Sequence, residues 1–296
     1  MADKKVKSTT EVPTGFGVIK REFLKDKIAL VSLIILTSLI LIIFISALFM
    51  DQEKVMTVSL LDKFARPGEG FWLGADAGGR SILGQLIIGA RNSIVIGFSV
   101  TIISQVIGIM VGLMAGYYAG KVDNCIMRVI DFIMILPITM VIIVFITIIP
   151  KYTAGKFILI LTAFAWIGTA RLIRSKALSE GRKDYISASK TLGTSDIKIM
   201  LTELLPNISS IILVDLTLSF AGNIGIETGL TFLGYGLPPT TPSLGTLISY
   251  ASKPEIISSK LWVWLPASLL ILVLMLCINY VGQALKRATD ARQRLG

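Results

Sequence analysis

The chain has 296 residues, of which 53% are hydrophobic and 16% charged, and its mean hydropathy of +0.77 is far above that of globular domains. Such a composition excludes an ordinary soluble protein and leaves one membrane domain, while the formal charge of +10 sits mostly at the ends of apolar runs, where it orients helices and meets anionic headgroups instead of nucleic acid. No histidine is present, which removes imidazole bases, Ser-His-Asp triads and His-ligated metals together.

A transmembrane helix needs about 20 apolar residues. After a basic segment over residues 1–27, Ile28 to Met50 runs 23 residues without a charge and predicts a first span. It is too long for a cleaved signal peptide and lacks the small-residue cleavage pattern. Residues 51–91 follow as a connecting loop, and residues 92–285 are expected to form a five-helix core. Within that core, Asn92 to Gly120, Phe132 to Pro150 and Leu261 to Leu285 predict spans directly. Phe157 to Ala170 has only 14 residues, but Arg171 and Arg174 can snorkel from the end of a longer helix to the headgroups. Asn207 to Phe232 is interrupted by Asp215 and Glu227, yet Ile211 to Val214 and Leu216 to Phe220 are too apolar for an exposed loop. The expectation is an all-α membrane protein with six transmembrane helices and a tail over residues 286–296. Cys125 and Cys277 lie beside or inside apolar runs without C-x-x-C spacing, and read as packing residues.

Lys and Arg in the connecting segments divide 20 to 9 in favour of the side that holds both termini, which marks that side as cytoplasmic. The inner segment from Arg182 to Asn207, with its loop over 182–206, reads as two short helices. Asp184 is placed to cap the first, Gly193 to end it in a left-handed conformation, and Thr194 or Ser195 to cap a second that stops before Pro206. Ser187, Ala188 and Ser189 give the first arm a compact face for a partner's groove, or belong to an ordinary amphipathic loop helix. In the outer loop, Gly74, Gly78 and Gly79 permit tight turns, and Asp76 and Arg80 are close enough to cap or pair. That segment is either an ordered plug or docking loop, or one that merely packs over the bundle. Arg128 and Asp131 are spaced to meet on one helical face. Asp215 and Glu227 either line an aqueous path or are satisfied by neighbouring helices. There is no G-x-x-x-x-G-K-[ST] run, so the chain has no P-loop of its own.

Ser187-Ala188-Ser189, Gly193 and Leu205-Pro206 have a spacing that resembles the so-called EAA loop of ABC importer permeases, with Ser187 for the usual Glu and Glu203 for the usual Ile. Leu73-Gly74-Ala75-Asp76-Ala77-Gly78-Gly79-Arg80 and Gly89-Ala90-Arg91-Asn92-Ser93 are similar to elements of the dipeptide, oligopeptide and nickel branch, Ala75 standing for a Thr. Ala115 to Gly120, Met127-Arg128 with Asp131, and Thr231 to Gly236 with Pro238-Pro239 resemble that branch too, while Leu244 replaces a frequent Trp. The resemblance implies the ABC importer permease fold with a cytoplasmic coupling helix, in a bacterial cytoplasmic membrane. It implies a second homologous permease, two ATP-binding ABC subunits and an extracytoplasmic solute-binding protein as partners, with no cofactor and no catalytic residue.

Under that resemblance Asp184, Tyr185, Ile186, Ser187, Ala188, Ser189, Leu192 and Gly193 couple to the ATPase. Leu73, Gly74, Asp76, Gly79 and Arg80 form an outer gate or docking element, and Asp215 and Glu227 are candidates for lining the path. The expected function is ATP-driven import of di- or oligopeptides, or of a related small solute such as nickel, by alternating access. An ion-coupled carrier using Asp215 and Glu227, and a membrane scaffold, are the competing readings.

Overall fold

Backbone N–H and C=O groups find no water in hydrocarbon, so apolar runs must close their hydrogen bonds within helices. The computed structural model describes residues 21, 23–149, 153–238 and 240–295, with side chains through residue 289. Among the described residues there is no strand, only an isolated bridge between Ala75 and Ser81.

Helix α1 spans Lys27–Leu48. Asp26 caps it, its carboxylate accepting from the Ala29 amide at 3.1 Å and pairing with Arg287 at 2.5 Å. The Arg287 guanidinium and the cap amides hold the Asp26 carboxyl below its usual range, and the pair ties the start of the first helix to the last. Helix α2, Gln52–Val55, and a 3-10 turn, Leu60–Asp62, lead to α3, Ile82–Tyr118. The predicted boundary at Asn92 is therefore corrected to Ile82. Ser81 caps the helix by accepting from the Gly84 amide at 3.3 Å, and Arg91 is accommodated by Gln52 and Asn92.

Ala119 and Gly120, both at positive φ, turn the chain into α4, Gly120–Ile135, and α5, Ile138–Ile148. The single span predicted from Phe132 to Pro150 is broken: α4 and α5 meet at 80°, because Pro137 lacks an N–H and drives Leu136 to an extended ψ of 142°. Pro150 and Lys151 lie outside the described residues. Helix α6 takes 27 residues, Ala154–Glu180, and its two arginines pair with carboxylates of α4. Arg174 makes a bidentate pair with Asp123 at 2.6 and 2.5 Å, and Arg171 pairs with Asp131. The expected Arg128–Asp131 pair is thus absent; Asp131 points across to α6 and Arg128 stays exposed.

Next come α7, Asp184–Thr191, α8, Asp196–Ile199, a π segment, Met200–Leu204, and α9, Leu205–Phe232. The chain closes with α10, Leu244–Ser249, a 3-10 turn, Tyr250–Ser252, α11, Pro254–Ser259, and α12, Leu261–Leu295. The predicted tail from Lys286 is a continuation of α12, consistent with its Ala, Arg, Lys and Gln content. Among the described residues five helices are long and apolar enough to cross a membrane, and the bent α4–α5 pair makes a sixth when counted as one span.

Close approach, rather than apolar drive, holds helices together in lipid. A Cβ on Gly108, Gly112 or Gly116 of α3 would fall 2.7 Å from the Thr169 Cβ, 2.6 Å from the Ala170 carbonyl or 2.5 Å from the Ala177 Cβ of α6. Only glycine lets these two backbones come this near. The interior then divides into layers, with Ile82, Ile94, Leu244 and Leu274 at the loop end. Leu113, Ile173, Ile199 and Leu204 lie beneath the α7–α8 hairpin at the other.

Candidate functional site

The α7–α8 hairpin begins with Lys183 at the cap position and no side-chain cap bond, so Asp184 is not the cap that its sequence position suggests. It sits in the first turn, where its charge complements the helix dipole, as Lys190 does in the last. Gly193 has φ +83°; its amide donates to the Lys190 carbonyl and the Thr194 amide to that of Ser189, the paired bonds of a Schellman stop. Ser195 precedes α8 without a side-chain bond. The second arm does not stop before Pro206. It runs unbroken through the π segment into α9 as one helix from Asp196 to Phe232, because Pro206 falls at the start of α9, where the π segment has already shifted the hydrogen-bond register.

Side chains divide into anchors and a presented face. Ile186 is buried against the layer containing Ile173 and Leu204, and Ser189 donates to Glu203 across the hairpin. Tyr185 donates to Glu180 at 3.0 Å and accepts from Asn207 at 3.1 Å; burial and Glu180 push its phenol up to about 12. Tyr117, at the end of α3, donates to Asp196 at 2.6 Å. Asp184, Ser187, Ala188, Leu192 and Gly193 remain exposed, Leu192 at 86% together with Ile197 at 65%. Both are apolar side chains held among charged neighbours, Lys190, Asp196 and Lys198.

On the opposite face, Leu73 to Arg80 closes into a knot around Asp76, whose side chain is fully buried. One Asp76 oxygen accepts from the amides of Gly78 at 2.8 Å and Arg80 at 3.0 Å. The other accepts from Arg80 Nε at 2.8 Å, Gln85 Nε2 at 3.0 Å and the Tyr250 hydroxyl at 3.0 Å. Arg80 also donates to the Tyr250 oxygen at 2.9 Å. At Gly79, with φ +70°, a Cβ would stand 1.8 Å from the Ser59 carbonyl oxygen, and at Gly74 one would stand 2.5 Å from Trp262. The sequence placed Asp76 and Arg80 within reach of each other; it had no signal for Tyr250 and Trp262, which lie far along the chain.

Burial and Asp76 push the Tyr250 phenol up to about 12. A folded pKa above the unfolded value of about 10 means that the phenol's contribution is complete below that unfolded value and is lost as pH rises through the folded one. Tyr250→Phe is accordingly expected to cost about 1 kcal/mol. Its melting deficit against wild type in detergent should be constant over roughly pH 6 to 9 and shrink at higher pH; a deficit that grows with pH contradicts the assignment.

Between the two faces runs a polar seam joining α3 to α9. Gln105 donates to Asp215 at 2.6 Å, with Thr169 of α6 adding a bond at 2.7 Å. Asn223 donates to Thr101 at 2.9 Å. Glu227, fully buried, is met by the hydroxyls of Thr231 at 3.0 Å and Thr228 at 3.2 Å, and by Ser93 and Ser243. Ser93 in turn accepts from the Leu244 amide at 3.1 Å, so the loop before α10 is pinned into the same cleft. Asp215 borders a half-open cavity of about 230 Å³ together with Lys176 and Lys286. No group of three or more metal-ligating side chains occurs among the described residues.

A family profile described as binding-protein-dependent transport system inner membrane component matches residues 108–295. The oligopeptide transport system permease protein OppC of Lactococcus lactis subsp. lactis (strain IL1403) is 47% identical over 294 residues, 99% of each chain. OppC of Mycobacterium tuberculosis (strain ATCC 25618 / H37Rv) is 34% identical over 96% of this chain and 97% of its own. The dipeptide transport system permease protein DppC of Bacillus subtilis (strain 168) is 31% identical over 93% and 85%. A solved chain of the MetNI methionine ABC transporter shares the fold, with a TM-score of 0.55 and 19% identity over 70% of this chain and 97% of that one. With the profile covering most of the helical core and a relative aligned end to end, this chain belongs to the binding-protein-dependent transport inner membrane components, in their oligopeptide and dipeptide permease branch, a family of multi-pass transport proteins and not of enzymes.

Proposed function

We propose that the chain is the membrane-spanning permease of an ATP-driven importer that carries di- or oligopeptides into the cell by alternating access. The names of the relatives suggest the solute class, and the single observation that carries the mechanism is the unbroken helix from the hairpin through α9. In this reading the ATPase and solute-binding partners of the family are two ATP-binding subunits, which grip the hairpin, and an extracytoplasmic binding protein, which delivers the solute. A second homologous permease completes the path. The exposed Asp184, Tyr185, Ser187, Ala188, Leu192 and Gly193 make the contact, while Ile186 and Ser189 hold its shape. Closure of the ATP-bound subunits tilts α9 as a rigid rod, so that its Thr228–Thr231 end moves with the hairpin. Leu73, Gly74, Asp76, Gly79 and Arg80 act from within, keeping the outer receiving surface in form, and Asp215 faces the path. Glu227, enclosed by hydroxyls, holds helices together and does not meet solute in this conformation.

Reconstitution with those partners tests the reading: ATP-dependent accumulation of labelled tri-alanine that survives collapse of the ion gradients supports it. Uptake that needs a gradient and no ATP overturns it. Orientation has its own test, with the hairpin and both termini on the cytoplasmic side by the charge asymmetry. After replacing Cys125 and Cys277, Leu61→Cys, at a position 99% exposed, should react with an impermeant thiol reagent added to intact cells, and Leu192→Cys should not. The reverse labelling pattern sinks the topology.

A further inference from the structure

The segment that returns from α9 to α12 encloses a second cavity of about 450 Å³ on the face opposite the hairpin, between Gln85 of α3, Phe232 of α9 and the run from Thr246 to Lys253. Phe232 and Leu237 supply apolar surface, and Ser249 and Ser252 supply oxygen. Both hydroxyl protons are already committed: Ser249 donates to the Thr246 carbonyl and Ser252 to the Ser249 carbonyl, each at 2.7 Å. Their remaining lone pairs are acceptors, which suit the N–H groups of a peptide backbone.

The charge of the cavity has one sign. Asp76 lies behind Gln85 and Tyr250, fully buried and paired with Arg80. Glu227 lies behind Thr231 and is also fully buried. Glu255, just past the rim, pairs with Lys260. Lys253, exposed and lining the cavity, makes no direct salt bridge among the described residues, although it acts on Glu255 through space. Within the lining a guest therefore meets one cation and no carboxylate, Glu255 outside the rim being held by Lys260, an arrangement that attracts an anionic end group and repels an ammonium.

We propose that this cavity is the entry subsite for the carboxylate end of the transported peptide. Lys253 takes the terminal carboxylate, Ser249 and Ser252 accept from the last backbone N–H groups, and Phe232 and Leu237 receive an apolar side chain. This rests on the peptide-importer reading and adds to it the polarity with which the peptide enters. The test uses the complete importer in vesicles, with tri-alanine and tri-alanine amide as probes. Lys253→Gln should raise the KM for tri-alanine about fivefold, the size expected for loss of one exposed charge pair. The same substitution should leave competition by the amide unchanged, and Lys253→Arg should restore wild-type discrimination. An unchanged KM overturns the proposal. Equal losses for the free acid and the amide also overturn it, because the lysine would then contact the delivering protein and not the solute. A wild-type complex that takes up neither peptide refutes the peptide reading itself, which separates the two failures.

Discussion

Asp76→Ala is expected to cost about 3 kcal/mol, the figure for breaking a buried ion pair by removing one partner. Five donors converge on this one carboxylate, and it has no exposure to water. Its loss leaves the Arg80 guanidinium, 18% exposed, with the Tyr250 oxygen as its remaining side-chain partner. The backbone of the knot also suffers, since the Gly78 and Arg80 amides lose the acceptor that shapes their turn. Asp76→Asn keeps one acceptor oxygen and should fall between alanine and wild type. Thermal unfolding of the purified protein in detergent gives the order, which should be Tyr250→Phe mildest, then Asp76→Asn, then Asp76→Ala. A melting point for Asp76→Ala equal to that of wild type would falsify the view that the knot is held by this carboxylate.

Gly193→Val is expected to uncouple the importer while leaving the membrane bundle assembled. Non-glycine residues in the left-handed region cost about 1–2 kcal/mol, which is a factor of roughly 5 to 30 in the population of the native hairpin, and a β-branched side chain lies at the upper end. Nothing stands within 4 Å of a Cβ placed there, so the penalty is conformational and not a collision. The hairpin would lose its Schellman stop and swing the exposed Leu192 away from its position, far from the layer of Leu113 and Leu204 that secures α9. ATP hydrolysis stimulated by loaded binding protein, measured alongside uptake, reads the effect. Uptake should drop about tenfold while the complex still purifies intact. Wild-type uptake per ATP would remove the hairpin from the coupling role.

Much of this architecture is legible in sequence because hydrocarbon imposes a local rule: an uncharged run of sufficient length must be a helix. Ile28 to Met50 and Leu261 to Leu285 needed nothing more. Gly193 was equally readable, since a helix stop depends on a few adjacent residues. Asp131 was harder. Its spacing to Arg128 is a local fact, whereas its partner Arg171 comes from a helix forty residues on. The same limit hid Tyr250 from Asp76, and Ser93 and Ser243 from Glu227. The break at Pro137 and the continuity past Pro206 show that one residue type carries opposite meanings: Pro137 follows an extended Leu136, while Pro206 enters a helix start prepared by the π segment.

The seam between α3 and α9 also sets a step size. Its three rungs join Ser93 to Glu227, Thr101 to Asn223 and Gln105 to Asp215, so the α9 number falls as the α3 number rises, as antiparallel helices require. Sliding α9 along α3 would break all three at once. Asn223 then loses Thr101, a loss of about 1–3 kcal/mol, whereas Glu227 keeps Thr228 and Thr231 on its own helix, and positions on one helix face recur only about every turn, 5.4 Å. Intermediate offsets are therefore disfavoured. These two helices travel most easily together, by rotations that keep every rung intact.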